Sequence, residues 1–247
     1  MASYAFKNKE RTERIAASEA VYLDHRLKYF CPNPACDAQM HIVQASVPYF
    51  AANKATPHID HCFYASSSTF DPGRYNENSF NLSEVINSLF AEGSHTPQVS
   101  GKQYKEHKHS ACLPIKTLRV LYGMCKSKGI EDLYNGYRIR NIIYDSRCQG
   151  EMPQTINGFR IVECEALKGK LYDKEQLSIT LRAPASSPQK GTFVLLFKDK
   201  NLFWERQNLI FNNRDKLIIV AGRWESGVDA WTRYTQVVNK KQIIIIK

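Results

Sequence analysis

The stretch from Cys31 to Cys62, CPNPACDAQMHIVQASVPYFAANKATPHIDHC, constrains this chain more than any other. Cys31 and Cys36 flank a Pro-containing knuckle with a four-residue gap, an alternating apolar run follows, and His58, His61 and Cys62 close the segment. Structural zinc sites draw four tetrahedral Cys and His ligands as two close pairs brought together by a hairpin. Cys31 and Cys36 make the first pair. His58 with Cys62 makes the second, at the usual three-residue gap. His61 is the alternative fourth ligand, but a thiolate binds zinc more strongly than a second imidazole, so the expected set is Cys31, Cys36, His58 and Cys62. A full ligand set without an open position predicts structural Zn2+ rather than catalytic Zn2+.

These residues also resemble a known family. An aromatic before a cysteine pair, a short hairpin and then Pro-His-x-x-His, here YFCPNPAC and TPHIDHC, is similar to the zinc finger at the N-terminus of competence CoiA-like proteins, over about residues 28 to 64. The first pair has a gap of four where that family usually has two, and Ile59 stands where it has an aromatic. The resemblance implies a finger-like zinc module and a partner nuclease domain. No Asp followed by Glu-x-Lys on a plausible strand pair carries that activity into this chain.

The 247 residues can bury one large core or two modest ones. The leading MASYAFKNKERTERIAAS lacks a signal peptide's apolar core, and the longest apolar run, Ile243 to Ile246, is too short to cross a bilayer. A cytoplasmic protein with no membrane partner is expected. An odd count of seven cysteines then points to metal ligation and buried thiols rather than disulfides.

The formal charge is +10, and residues 151 to 247 hold 16 Lys and Arg against 10 Asp and Glu. A polyanion is therefore the first partner to consider, and nucleic acid fits best.

The chain divides into residues 1–75, a zinc-binding module; 76–150, a helical connecting region; and 151–247, a β-domain. In the first, Leu27 to Phe30 and Met40 to Ala45 are the hairpin arms around the knuckle, and residues 8 to 24 suit a short helix or a helix and edge strand. In the second, Ser83 is a candidate N-cap for a helix carrying Val85, Ile86, Leu89 and Phe90, and a second helix runs from Ile115 to Lys126 with Cys125 in the core. Between them His107, His109 and Cys112 read as a solvated basic loop, because only three candidate ligands are present and Lys105 and Lys108 would repel a cation.

In the third, strands at Phe159 to Cys164, Leu177 to Leu181 and Thr192 to Phe197 precede a helix at Asn201 to Phe211, and strands return at Lys216 to Trp224, Trp231 to Val238 and Gln242 to Ile246. Three strands, a helix and two or three strands is the order of an OB-fold, whose strands two and three and loops one-two and four-five bind oligonucleotides. The expected fold is thus α+β: a small zinc-finger module, a short helical middle and a C-terminal OB-like antiparallel β-barrel.

GRWESGVDAWTRY falls between barrel strands four and five. Arg223, Trp224, Trp231, Arg233 and Tyr234 there interleave aromatic faces with guanidinium groups, as single-strand binding requires. The expected function is a zinc-containing nucleic-acid-binding protein that prefers single strands to duplex. The alternatives are a protein-interaction scaffold with a protein partner, or a nuclease-type enzyme in which Glu163, Glu165 and Asp173 hold a divalent metal.

Overall fold

The computed structural model describes the chain except for residues 1, 24–25, 35, 46–47, 60–61, 63, 65–69, 71–74, 92–112, 149–154, 170, 186–190, 228 and 247. The N-terminal sheet consists of β1 (Tyr4–Phe6), β2 (Arg14–Ala16), β3 (Tyr29–Phe30), β4 (Gln39–Val43) and β5 (Tyr49–Ala52), in the order β2-β1-β3-β4-β5. Alternation places Met40 and Phe50 in the core, and Phe50 packs against Tyr29 at 4.9 Å between ring centres. The expected helix in residues 8 to 24 shrinks to one turn, α1 (Ala17–Ala20), which carries Ala17 and Ala20 into the core.

Two helices form the middle. In α2 (Leu82–Phe90) the N-cap is Asn81, two residues ahead of the expected Ser83, because its Oδ1 accepts the Ser83 and Glu84 amides. In α3 (Leu118–Ser127) Thr117 caps the start, and Leu118, Leu121 and Cys125 are buried. A short hairpin, β6 (Leu133–Tyr134) and β7 (Tyr137–Arg138), turns on Asn135 and Gly136. These two adopt φ of 45° and 80°, which an Asn-Gly pair tolerates.

The C-terminal region is a closed barrel. After β8 (Ile143–Tyr144) come β9 (Gly158–Ala166), β10 (Tyr172–Asp173), β11 (Ser178–Arg182), β12 (Thr192–Phe197), α4 (Lys200–Phe211), β13 (Leu217–Ser226), β14 (Thr232–Val237) and β15 (Ile243–Ile246). Five of these strands close a ring: β9 pairs β11, β11 pairs β12, β12 runs parallel to β14, β14 pairs β13, and β13 returns to β9. Numbered within the ring the order is one-two-three-five-four, with α4 between the third and fourth strands, consistent with an OB-like barrel. Phe203 and Ile210 of α4 plug one end, with Phe203 5.7 Å from the Phe197 ring.

Alternation along β13 separates two cores. Ile218, Val220 and Trp224 fill the barrel, while Ile219 and Ala221 on the opposite face join a core that includes Ala2, Met40, Leu89 and Leu121. Strand β9 divides likewise: Val162 and Cys164 point into the barrel and Ile161 out of it. The three expected segments therefore share one continuous core outside the barrel, and each contributes side chains to it. Among the described residues no helix is long and apolar enough to cross a membrane.

Candidate metal centre and nucleic-acid surface

The ligand pairs meet as two turns brought together by the N-terminal sheet. At the first, the Cys31 amide donates to Ala38 O and the Cys36 amide to Asn33 O, folding the knuckle back on itself. At the second, the Cys62 amide donates to Ile59 O. Arg11, in the loop between β1 and β2, clasps the knuckle from outside: its Nε donates to Cys31 O at 3.0 Å and its Nη2 to Cys36 O at 2.7 Å. It does so from a left-handed backbone, φ 57°, unusual for a non-glycine residue. Nothing in the local sequence marked Arg11 out, because its partners are backbone carbonyls some 20 and 25 residues away.

One ligand atom each from Cys31, Cys36, His58 and Cys62 lies within 4.8 Å of the others, a grouping able to hold a metal ion. Cys31 Sγ is 3.6 Å from Cys62 Sγ, and Cys36 Sγ is 3.4 Å from His58 Nδ1. Asn33 supports the sulfurs, its amide donating to Cys31 Sγ and its Nδ2 to Cys62 Sγ. A hydrogen bond from Cys31 holds Cys62 down to about 4 and Cys36 to about 6, while burial pushes Cys31 far up. The alternative ligand His61 and the cluster at His107, His109 and Cys112 lie outside the described residues.

No family model, no curated protein and no solved structure matches this chain. The likeness of residues 28 to 64 to the CoiA-like finger rests on its motif alone.

The expected nucleic-acid loop needs correction. Strand β13 continues to Ser226 and β14 begins at Thr232, so the connection starts two residues later than expected and most of GRWESGVDAWTRY is barrel wall. With period two, Trp224 turns inward: it is 0% exposed, lies 5.3 Å from the Phe193 ring, and its Nε1 donates to Arg160 O. Arg233 is 1% exposed, with Nη1 donating to Thr232 O. Neither Trp224 nor Arg233 offers a face to a base or phosphate. Arg223 is exposed and lies over the Phe90 ring at 5.4 Å, and Tyr234 is half-buried on the barrel's outer register. Trp231 is 44% exposed at the barrel end. Asp229 fixes the turn that presents it, accepting the Trp231 and Thr232 amides and the Thr232 hydroxyl. Gly227 completes that turn, because a Cβ there would come within 2.6 Å of Thr232 O.

The carboxylates of the nuclease alternative are all engaged. Glu163 Oε1 accepts from Tyr122 Oη at 2.7 Å and Lys126 Nζ at 2.8 Å, Glu165 pairs with Arg182, and Asp173 caps the Glu175 and Gln176 amides. Among the described residues, the Cys and His set is the one group of three or more potential ligands close enough to hold a metal.

Sequence reading missed the polar network around Glu163. Lys126 Nζ also donates to Asp145 Oδ2 at 2.9 Å, Arg147 forks onto the same carboxylate, and Arg147 reaches the carbonyls of Cys125 and Lys128. Tyr64, two residues past Cys62, donates to Lys126 O and meets Tyr4 Oη at 3.1 Å. The metal loops, α3 and the first barrel strand are thus tied by one set of buried bonds.

Proposed function

We propose that this is a cytoplasmic zinc-containing protein that binds nucleic acid, with single strands preferred to duplex. The observation that carries this reading is the barrel's strand order, one-two-three-five-four with a helix after the third strand, which is that of the OB-folds that bind oligonucleotides. The formal charge of +10 supports a polyanionic partner, and Trp231 supplies an exposed ring of the kind on which bases stack.

The donor set and its spacing fit zinc. A tetrahedron with Zn–S bonds of about 2.3 Å has edges of about 3.8 Å, shortening to about 3.5 Å where one vertex is a histidine nitrogen. The corresponding separations here are 3.6 Å and 3.4 Å. Cys31, Cys36, His58 and Cys62 would hold the ion, which would supply folding free energy as a cross-link between the two turns.

The test is a titration of the metal-loaded protein against labelled single-stranded DNA, single-stranded RNA and duplex at several salt concentrations, with and without magnesium. Tighter single-strand binding that weakens linearly with log salt is the expected result. Binding of none of these polymers by folded protein would overturn it in favour of a protein-interaction scaffold, and strand scission that requires magnesium would favour the nuclease reading.

A further inference from the structure

A cleft of about 820 Å³ opens between the metal loops and the barrel, within the range of about 300–1,000 Å³ typical of ligand sites. Asn33 and Ile59 form one wall, next to the metal ligands. The opposite wall comes from the barrel, where Leu167, Lys168 and Gly169 follow β9, Arg182 ends β11, and Arg214 to Leu217 lead from α4 into β13. The floor is the Tyr122, Lys126 and Glu163 network.

Its chemistry divides by depth. On the floor Glu163 is neutralised by Lys126, so the fixed acid carries little field outward. At the mouth Lys168 and Arg214 are exposed, Lys216 is half-buried, and Arg182 is paired with Glu165 while its buried Nε finds no hydrogen-bond partner among the described residues. Among the described residues the lining carries five cations, Lys126, Lys168, Arg182, Arg214 and Lys216, against Glu163, Glu165 and Asp215, a positive balance. Leu167, Pro184 and Leu217 add apolar surface beside these cations.

We infer that this cleft is where a nucleotide unit of a single strand is held, its phosphate by Lys168, Arg214 and Lys216 and its base against Leu167, Pro184 and Leu217. The inference rests on the nucleic-acid reading above and places the strand across both halves of the chain. A base enters a concave site only when unstacked, which costs least in a strand that is already single, so the shape of the cleft accounts for the strand preference. The metal then has a second consequence. Ile59 and Asn33 stand on loops fixed by the ligands, so metal occupancy sets one wall of the binding site.

The test uses full-length, metal-loaded protein and a fluorescein-labelled oligothymidylate. Anisotropy is measured against salt for wild type and for K168A/R214A/K216A, and ultraviolet cross-linking of the wild-type complex is mapped by mass spectrometry. The expected result is weaker binding by the variant, a slope of log affinity against log salt reduced by about 0.7 for each phosphate that is no longer neutralised, and cross-links at Leu167 to Gly169, at Pro184 or at Arg214 to Leu217. If wild type binds but the variant matches it in affinity and slope, or no cross-link maps to the cleft, the cleft is excluded while the nucleic-acid reading stands. If wild type binds no strand, both fall together.

Discussion

Lys126 Nζ lies 2.8 Å from Glu163 Oε1 and 2.9 Å from Asp145 Oδ2, and this ammonium joins α3 to the first strand of the barrel. Both Lys126 and Glu163 side chains are 7% exposed, so neither charge has water to fall back on. Removing one partner of such a pair leaves an uncompensated buried charge. Lys126→Met is therefore expected to destabilise the fold by about 3–5 kcal/mol. The double variant Lys126→Met/Glu163→Gln should recover part of that loss, and urea unfolding of the variants measures both.

The pH dependence of the same network has a definite sign. Burial alone would raise Asp145, but Arg147 and Lys126 outweigh it and hold the carboxyl below the ordinary carboxylate range. A group depressed in the folded state contributes stability above its unfolded value, about 3.9, and loses it as pH falls further. The stability gap between wild type and Asp145→Asn should therefore be widest near neutrality and shrink as pH drops from about 5 towards 3. A gap independent of pH over that interval would show that the fold does not depress the Asp145 carboxyl.

At the metal centre, one zinc ion per chain is expected from the Cys31, Cys36, His58 and Cys62 set, and chelation should unfold residues around it. Cys62→Ser should lose metal more readily than His61→Ala. Arg11→Ala, which removes the clasp on two ligand carbonyls, is expected to weaken metal binding by about tenfold, at the lower end of what outer-shell changes cost. Competition with a chromogenic chelator reads all three.

The two tryptophans flanking the last hairpin should behave as opposites. Trp224→Ala empties the middle of the barrel and should cost about 3–5 kcal/mol of stability. Trp231→Ala alters an exposed ring and should leave melting temperature nearly unchanged. Its cost should fall on single-strand affinity instead, at about 1–3 kcal/mol for each stacked base. Melting and anisotropy on both variants separate the assignments.

Much of this architecture was legible because its signals are local. A short β-branched and aromatic run after a Pro and Ser-rich loop located Thr192 to Phe197 to the residue, and the paired spacing from Cys31 to Cys62 picked out side chains that do converge. What escaped depends on partners distant in the chain. Trp224 and Arg233 read as binding residues, although both fell on expected strands, because nothing nearby revealed which face of β13 and β14 turns into the barrel. The Lys126, Asp145, Arg147 and Glu163 network was invisible for the same reason, as Lys126 and Glu163 stand 37 residues apart and become neighbours only when α3 docks on β9. The β6–β7 hairpin differs, since its clue is local: Asn135-Gly136 between Tyr134 and Tyr137 is a strong turn signal.

Strand β13 has no face turned to solvent over Ile218 to Ala221, since one side lines the barrel and the other belongs to the core shared with the metal module and helices. A barrel excised at residue 151 would carry Ile161, Ile219 and Ala221 on a naked outer wall, inviting self-association. The amides of Ile219 and Val220 should be among the last to exchange with deuterium. Neither half is a portable cassette, and a recombination event that separated them would leave two insoluble fragments.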